Sequence, residues 1–105
     1  MLDEVRLEKT FVKRMDSLSN LFQISNEEAT EIRDTIIDTI ELLANGEELP
    51  DVYSDHELSQ DPWTGYREFH VMDDMLVIYY KIEVKKRLRM VMITTHEELS
   101  SGKQV

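Results

Sequence analysis

Residues 75–94, MLVIYYKIEVKKRLRMVMIT, decide the fold. Met75 to Ile82 (MLVIYYKI) is rich in β-branched and aromatic residues and carries a single charge, which predicts a largely buried strand. Leu88 to Thr94 (LRMVMIT) predicts another, with Glu83 to Lys86 as the short polar connection. Working back, Tyr66 to Val71 also reads as a strand, joined to Met75 by a tight Asp73-Asp74 turn. Connections this short join antiparallel neighbours, so the second half of the chain is expected to be an antiparallel meander.

The first half has another period. Val5 to Thr10 (VRLEKT) alternates apolar and charged residues and suits a short strand. Phe11, Val12, Met15, Leu18, Leu21 and Phe22 then recur at three- and four-residue spacing, the pattern of an amphipathic helix. Ser25 with Glu28 three residues on has capping-box spacing. The apolar stripe from Ala29 to Leu43 makes a second helix, which Asn45-Gly46 stops. From Leu49-Pro50 to about Gly65 the chain is polar and irregular. The expected class is α+β: an N-terminal strand and a two-helix hairpin packed on an antiparallel sheet of about four strands, with a short C-terminal helix or loose tail.

At 105 residues the chain is expected to form a single domain, residues 1–105, with one core. The absence of cysteine removes disulfides and thiolate chemistry. The opening MLDEVRLEKT is too charged for a signal peptide, and no apolar run approaches the length of a membrane span, so a cytoplasmic location is expected. Twelve Lys and Arg against 22 Asp and Glu give a net charge of −10, most of it in the helical half. Long-range steering toward nucleic acid is therefore poor. The acidic stretch Glu27–Glu48 either meets a basic partner segment or is simply a solvated helix face. Lys81, Lys85, Lys86, Arg87 and Arg89 form the one cationic run, read either as a solvated hairpin or as a phosphate-facing patch.

The three histidines all lie in the second half: His56 in the polar loop, His70 near a strand end and His96 just past the last strand. Each alone is compatible with a surface or structural role. Antiparallel pairing can bring loop, turn and strand end together, and Asp74, in the turn after His70, faces the same opening. Such a set suits RNA cleavage by internal attack: a base takes the ribose 2′-OH proton, cations stabilise the phosphate and an acid protonates the leaving oxygen. Arg67, forked and always charged, is a phosphate-binding candidate, as are Lys81, Arg87 and Arg89. No histidine spacing matches a zinc-enzyme motif, so neither a metal nor a cofactor is expected.

The run PDVYSDHELSQDPWTGYREFHVMDDMLVIY (residues 50–79) followed by ITTHEEL (93–99) resembles the RelE/YafQ group of bacterial toxins, most closely its YafQ branch. The matching elements are D-H-x-L at Asp55–Leu58, W-x-G-x-R-x-x-H at Trp63–His70, an aspartate shortly after, a hydrophobic strand ending in Tyr79, and the terminal Thr95-His96. The resemblance covers about residues 49–99, and the preceding strand–helix–helix order fits the same fold. It implies a ribonuclease that cuts mRNA in the ribosomal A site and is silenced by a cognate antitoxin in a hetero-oligomer. It also implies that His56, His70, Asp74 and His96 are the active-site residues, with Asp74 or His70 as base, His96 as acid, and His56 positioning substrate or sharing in proton transfer. Trp63 is expected to anchor its loop. Three departures stand out: Met92 where the group commonly has an arginine, Thr94 where it often has glycine, and Ser100 for a large apolar residue. On a regular strand Arg87 and Arg89 share one face and Met92 lies on the other, so neither arginine directly replaces the missing one. A weakened toxin-derived module that binds an antitoxin-like partner without cutting RNA is the alternative.

Overall fold

In the computed structural model the described residues are 4–59, 61–72 and 74–100, with Glu83, His96 and Ser100 described by their backbone alone. Asp73 of the expected turn and the tail beyond Ser100 lie outside them. The strands are β1 (Glu4–Leu7), β2 (His56–Glu57), β3 (Arg67–Met72), β4 (Met75–Ile82) and β5 (Arg87–Thr94). The helices are α1 (Lys9–Asp16), α2 (Leu18–Leu21), α3 (Asn26–Ala44) and α4 (His96–Ser100).

The expected meander is present, β3 to β4 to β5, but the sheet it belongs to is mixed and has five strands in the order β1-β5-β4-β3-β2. Strand β1 lies parallel to β5, from Glu4 opposite Arg87 to Leu7 opposite Met90. The fifth strand is β2, a two-residue pairing inside the stretch expected to be irregular. Strand β1 is shorter than the alternating pattern suggested, because Glu8 already serves as the N-cap of α1. The first helix also breaks: Ser17 leaves helical geometry (φ −120, ψ 20), in a run where Asp16, Ser17, Ser19 and Asn20 carry side chains that compete for backbone hydrogen bonds. The break keeps both Phe11 and Leu18 fully buried.

Helix α3 begins as its sequence dictates. The Ser25 hydroxyl accepts the Glu28 N–H at 3.1 Å, and the Glu28 carboxylate accepts the Ser25 N–H at 3.3 Å. It ends on Gly46, whose φ of +80 only glycine adopts without strain, while the Glu47 N–H donates to the Leu42 carbonyl at 3.0 Å. Ala29, Ile36 and Leu43 point from α3 into a core shared with Phe69, Val77 and Tyr79 on one face of the sheet. A smaller cluster on the opposite face joins Trp63, Ile78 and Met92 to Leu58, Tyr66, Val91 and Leu99.

One irregularity decides what the second face contains. Ile78 pairs with Met92 and Tyr79 with Met90, so Val91 is an extra residue in β5. Met90 therefore faces the helices, whereas Met92 joins Trp63 and Ile78 on the far face. The regular-strand expectation is corrected here, since the bulge puts Met92 on the same face as Arg87 and Arg89. Removing the fully buried Leu43 side chain should be far costlier than trimming Ile37, which is 45% exposed. Urea unfolding should show Leu43→Ala losing about 2–5 kcal/mol and Ile37→Ala changing by no more than about 0.5 kcal/mol.

Candidate active site

The polar cluster starts at the loop before β2. Ser54 closes a short 3-10 turn in the left-handed conformation (φ 50), and its carbonyl accepts from His56 Nδ1 at 2.7 Å. A carbonyl can only accept, so that nitrogen carries a hydrogen. The other ring nitrogen, Nε2, lies 2.9 Å from Oε1 of Glu68, the residue directly opposite His56 across the β2–β3 ladder. His70, two residues further along β3 and on the same face, places its Nε2 3.8 Å from the same oxygen. The two imidazole centroids are 6.4 Å apart.

Glu68 is the residue that the sequence reading missed. Its side chain is only 5% exposed, and its second oxygen, Oε2, is buried without a hydrogen-bond partner. Leaving such an atom unpaired costs about 1–3 kcal/mol, which marks the position as more than packing. The signal was available in E-F-H at residues 68–70, since a carboxylate two residues from a histidine on a strand shares its face.

Registers place the other candidates. His70 stands opposite Leu76, and Leu76 opposite Thr94, so the strand end that leads into His96 lies two strand spacings, about 10 Å, across the sheet from His70. The backbone of His96 opens α4; its side chain is outside the described set. Asp74 is exposed in the β3–β4 turn and lines a cavity of about 390 Å³ with Phe22, Met72, Met75 and Thr95. The structure thus brings His56 and His70 together through Glu68, whereas Asp74, in the turn beyond β3, lines a cavity with Phe22 and Ile24 of the helical layer, so the expectation that it shares the histidines' opening is corrected.

The cationic candidates are elsewhere. Arg67 alternates with Glu68 and faces the helix side, where its Nε donates to Asp55 and to the Tyr79 hydroxyl, both at 3.3 Å. The Tyr79 hydroxyl itself donates to Asp55 at 2.7 Å. Arg67 and Lys81 line a separate cavity of about 560 Å³ together with Glu48, Asp51, Asp55 and Glu57. Gly65 enters β3 beside it with φ +91, a geometry that requires glycine although a side chain there would meet nothing. On the far face Arg87 is paired with Glu4 at 3.1 Å, and Arg89 with Glu8 and the Tyr80 hydroxyl. Trp63 is 3% exposed and meets Tyr66 edge-on at 5.4 Å, so it anchors the loop as expected.

The family of the bacterial toxin of type II toxin–antitoxin systems, YafQ, matches residues 4–101. The chain belongs to that family. A YafQ-family relative, the mRNA interferase toxin YafQ of Escherichia coli strain B, is 43% identical over 58 residues. That match spans 55% of this chain and 60% of the relative's length. The YafQ fold extends to solved structures. The DinJ-YafQ complex of Escherichia coli contains a chain 30% identical, with 91% of this chain and 96% of that one covered at a TM-score of 0.68. A copper-bound point mutant of a Helicobacter pylori toxin is 26% identical, with 94% and 99% covered at a TM-score of 0.72. In the present YafQ-family chain His56 and His70 converge on Glu68, and among the described residues no three such donors are gathered to hold an ion.

Burial holds the Tyr79 hydroxyl well above the ordinary phenol range; its bond to Asp55 acts in the same sense and Arg67 opposes it. The folded state thus retains a proton that the unfolded chain releases near pH 10. A group whose folded value is raised stabilises below its unfolded value and loses that contribution as pH rises. Stability should fall above pH 10, and Tyr79→Phe should flatten that part of the decline in denaturant midpoints measured against pH.

Proposed function

We propose that residues 1–105 act as one cytoplasmic toxin domain, an endoribonuclease that cuts mRNA in the ribosomal A site and is neutralised by a cognate antitoxin. The observation that carries this reading is the approach of His56 and His70 to one oxygen of the buried Glu68, on the sheet face opposite the helical layer. Two relatives support it: one is named an mRNA interferase toxin, and YafQ of Escherichia coli has been solved in a toxin–antitoxin complex with DinJ.

The chemistry follows from what each group can do. His70 takes the proton of the ribose 2′-OH, whose oxygen then attacks phosphorus. The bond from phosphorus to the 5′ oxygen breaks, leaving a 2′,3′-cyclic phosphate, and His96 protonates the departing oxygen. Because the nucleophile belongs to the substrate, this sequence calls on no metal or cofactor. Glu68 orients His56 and balances positive charge developing on the imidazoles, and each well-placed proton transfer supplies roughly 10²–10⁴-fold.

A second reading has its own support. Met92 is buried in the Trp63–Ile78 cluster where the family commonly places an arginine, and Arg67, Arg87 and Arg89 already hold carboxylate partners. This arrangement suits a weak nuclease, or a module that binds its partner without cutting. The two readings separate cleanly. If the chain is a nuclease, its induction alone arrests growth. His70→Ala and Glu68→Gln should then lower cleavage of ribosome-bound mRNA by roughly 10²–10⁴-fold with unchanged melting, and activity should survive EDTA. Harmless expression with a partner that still co-purifies selects the binding module.

The partner's chemistry is also proposed. Glu27, Glu31, Asp34, Asp38 and Glu41 are all exposed along α3, which favours a basic antitoxin segment. Affinity for the antitoxin should weaken steeply between 50 mM and 500 mM salt, and a flat salt titration would remove this contact.

A further inference from the structure

Helix α4 is five residues long, too short to hold itself in water, and His96 is its first residue. Its position therefore depends on what grips it. On one side Leu99 packs into the far-face cluster of Trp63, Ile78 and Met92. On the other, Glu98 is held by Arg14 of α1, 84 residues away in sequence: Nη1 donates to Oε1 at 2.8 Å and Nη2 to Oε2 at 3.1 Å. The fork is partly buried, with the Arg14 side chain 11% exposed.

Further bonds lock both partners. Arg14 Nη1 also donates to the Ile93 carbonyl at 3.0 Å, which ties the guanidinium to the end of β5. The hydroxyl of buried Thr94 donates to Glu98 Oε1 at 3.1 Å, and the Glu98 N–H donates to Thr95 Oγ1 at 3.2 Å. Every one of these bonds lands on Glu98 or on the two residues before Thr95, so the backbone of His96 sits inside the knot. A bidentate arginine–carboxylate pair fixes direction as well as distance.

We propose that Arg14 and Glu98 form a positioning clamp for His96: an ion pair between the helical layer and α4 that touches no substrate but sets the cleavage rate. The proposal rests on the reading of His96 as a reacting group. It also assigns a function to an arginine and a glutamate that look, in the sequence, like ordinary polar positions of an amphipathic helix and a tail.

The test uses the full chain on ribosome-bound mRNA, with kcat, KM and melting temperature measured for Arg14→Lys, Arg14→Gln, Glu98→Gln, the charge-swapped pair Arg14→Glu with Glu98→Arg, and His96→Ala. Loosening the fork should lower kcat by on the order of 10²-fold, the cost of misplacing a reacting group by about 1 Å, while KM stays within about twofold and the pH profile keeps its shape. The swapped pair restores the ion pair but sets a carboxylate against the Ile93 carbonyl, so it should recover part of kcat. If His96→Ala abolishes cleavage while Arg14→Lys and Glu98→Gln leave kcat intact, the clamp is overturned. It is overturned equally if kcat falls only in step with melting and the swap restores melting but not kcat. Should Arg14→Gln or Glu98→Gln fail to fold, Arg14→Lys, which keeps the charge and loses the fork, decides by the same split. Cleavage that survives His96→Ala would instead remove the functional reading on which the clamp rests.

Discussion

The pairing of β4 with β5, slipped by one residue at Val91, governs the rest of the molecule. Strand β4 is buried on both faces, so every side chain opposite it must belong to one of two cores. Up to Met90 the alternation serves the helical layer. Past the bulge the parity reverses, Met92 turns to the far face, and Ile93 takes over the packing against the helices. A strand without the bulge would send Met92 into the helical core and Ile93 away from it. The far face would then lose the third member of its Trp63–Ile78–Met92 cluster, against which Leu99 holds α4.

The same face carries the polar cluster, and its electrostatics are arranged by pairing. Glu68 lies under two imidazoles and Glu4 and Glu8 hold Arg87 and Arg89, while Glu98 reaches Arg14 of the helical layer. In a chain of net charge −10, carboxylates outnumber cations and capture them. Arginine carboxylate pairs of this kind are worth little on an exposed surface, but they gain direction when partly buried and bidentate. The result is a family member whose positive charge is spent on holding strands and α4 in place.

Much of this was legible from local rules. The capping box at Ser25, the glycine stop at Gly46, the β-rich run Met75–Ile82 and the short connections each depend on residues within a few positions of one another. Propensity and spacing decide such features before any tertiary contact forms. The D-H-x-L and W-x-G-x-R-x-x-H elements likewise marked His56 and His70 by order along the chain. Glu68 was legible in principle from its strand parity with His70, but its burial and its bond to His56 came only with the β2–β3 register.

Local sequence alone was enough for the β3–β4–β5 meander, the capped helix α3, the order of helices and strands, and the family. Tertiary structure alone decided that β1 would lie parallel to β5, that a bulge would swing Met92 onto the face of Arg89, and that Arg67 would face Asp55 and Tyr79 rather than the histidines. It alone brought Arg14 to Glu98. The physical reason is range: caps, turns and periodicity act over a few residues, whereas strand register and ion pairing join groups up to 84 residues apart. Which of several nearby carboxylates an arginine meets is settled by where the sheet puts them.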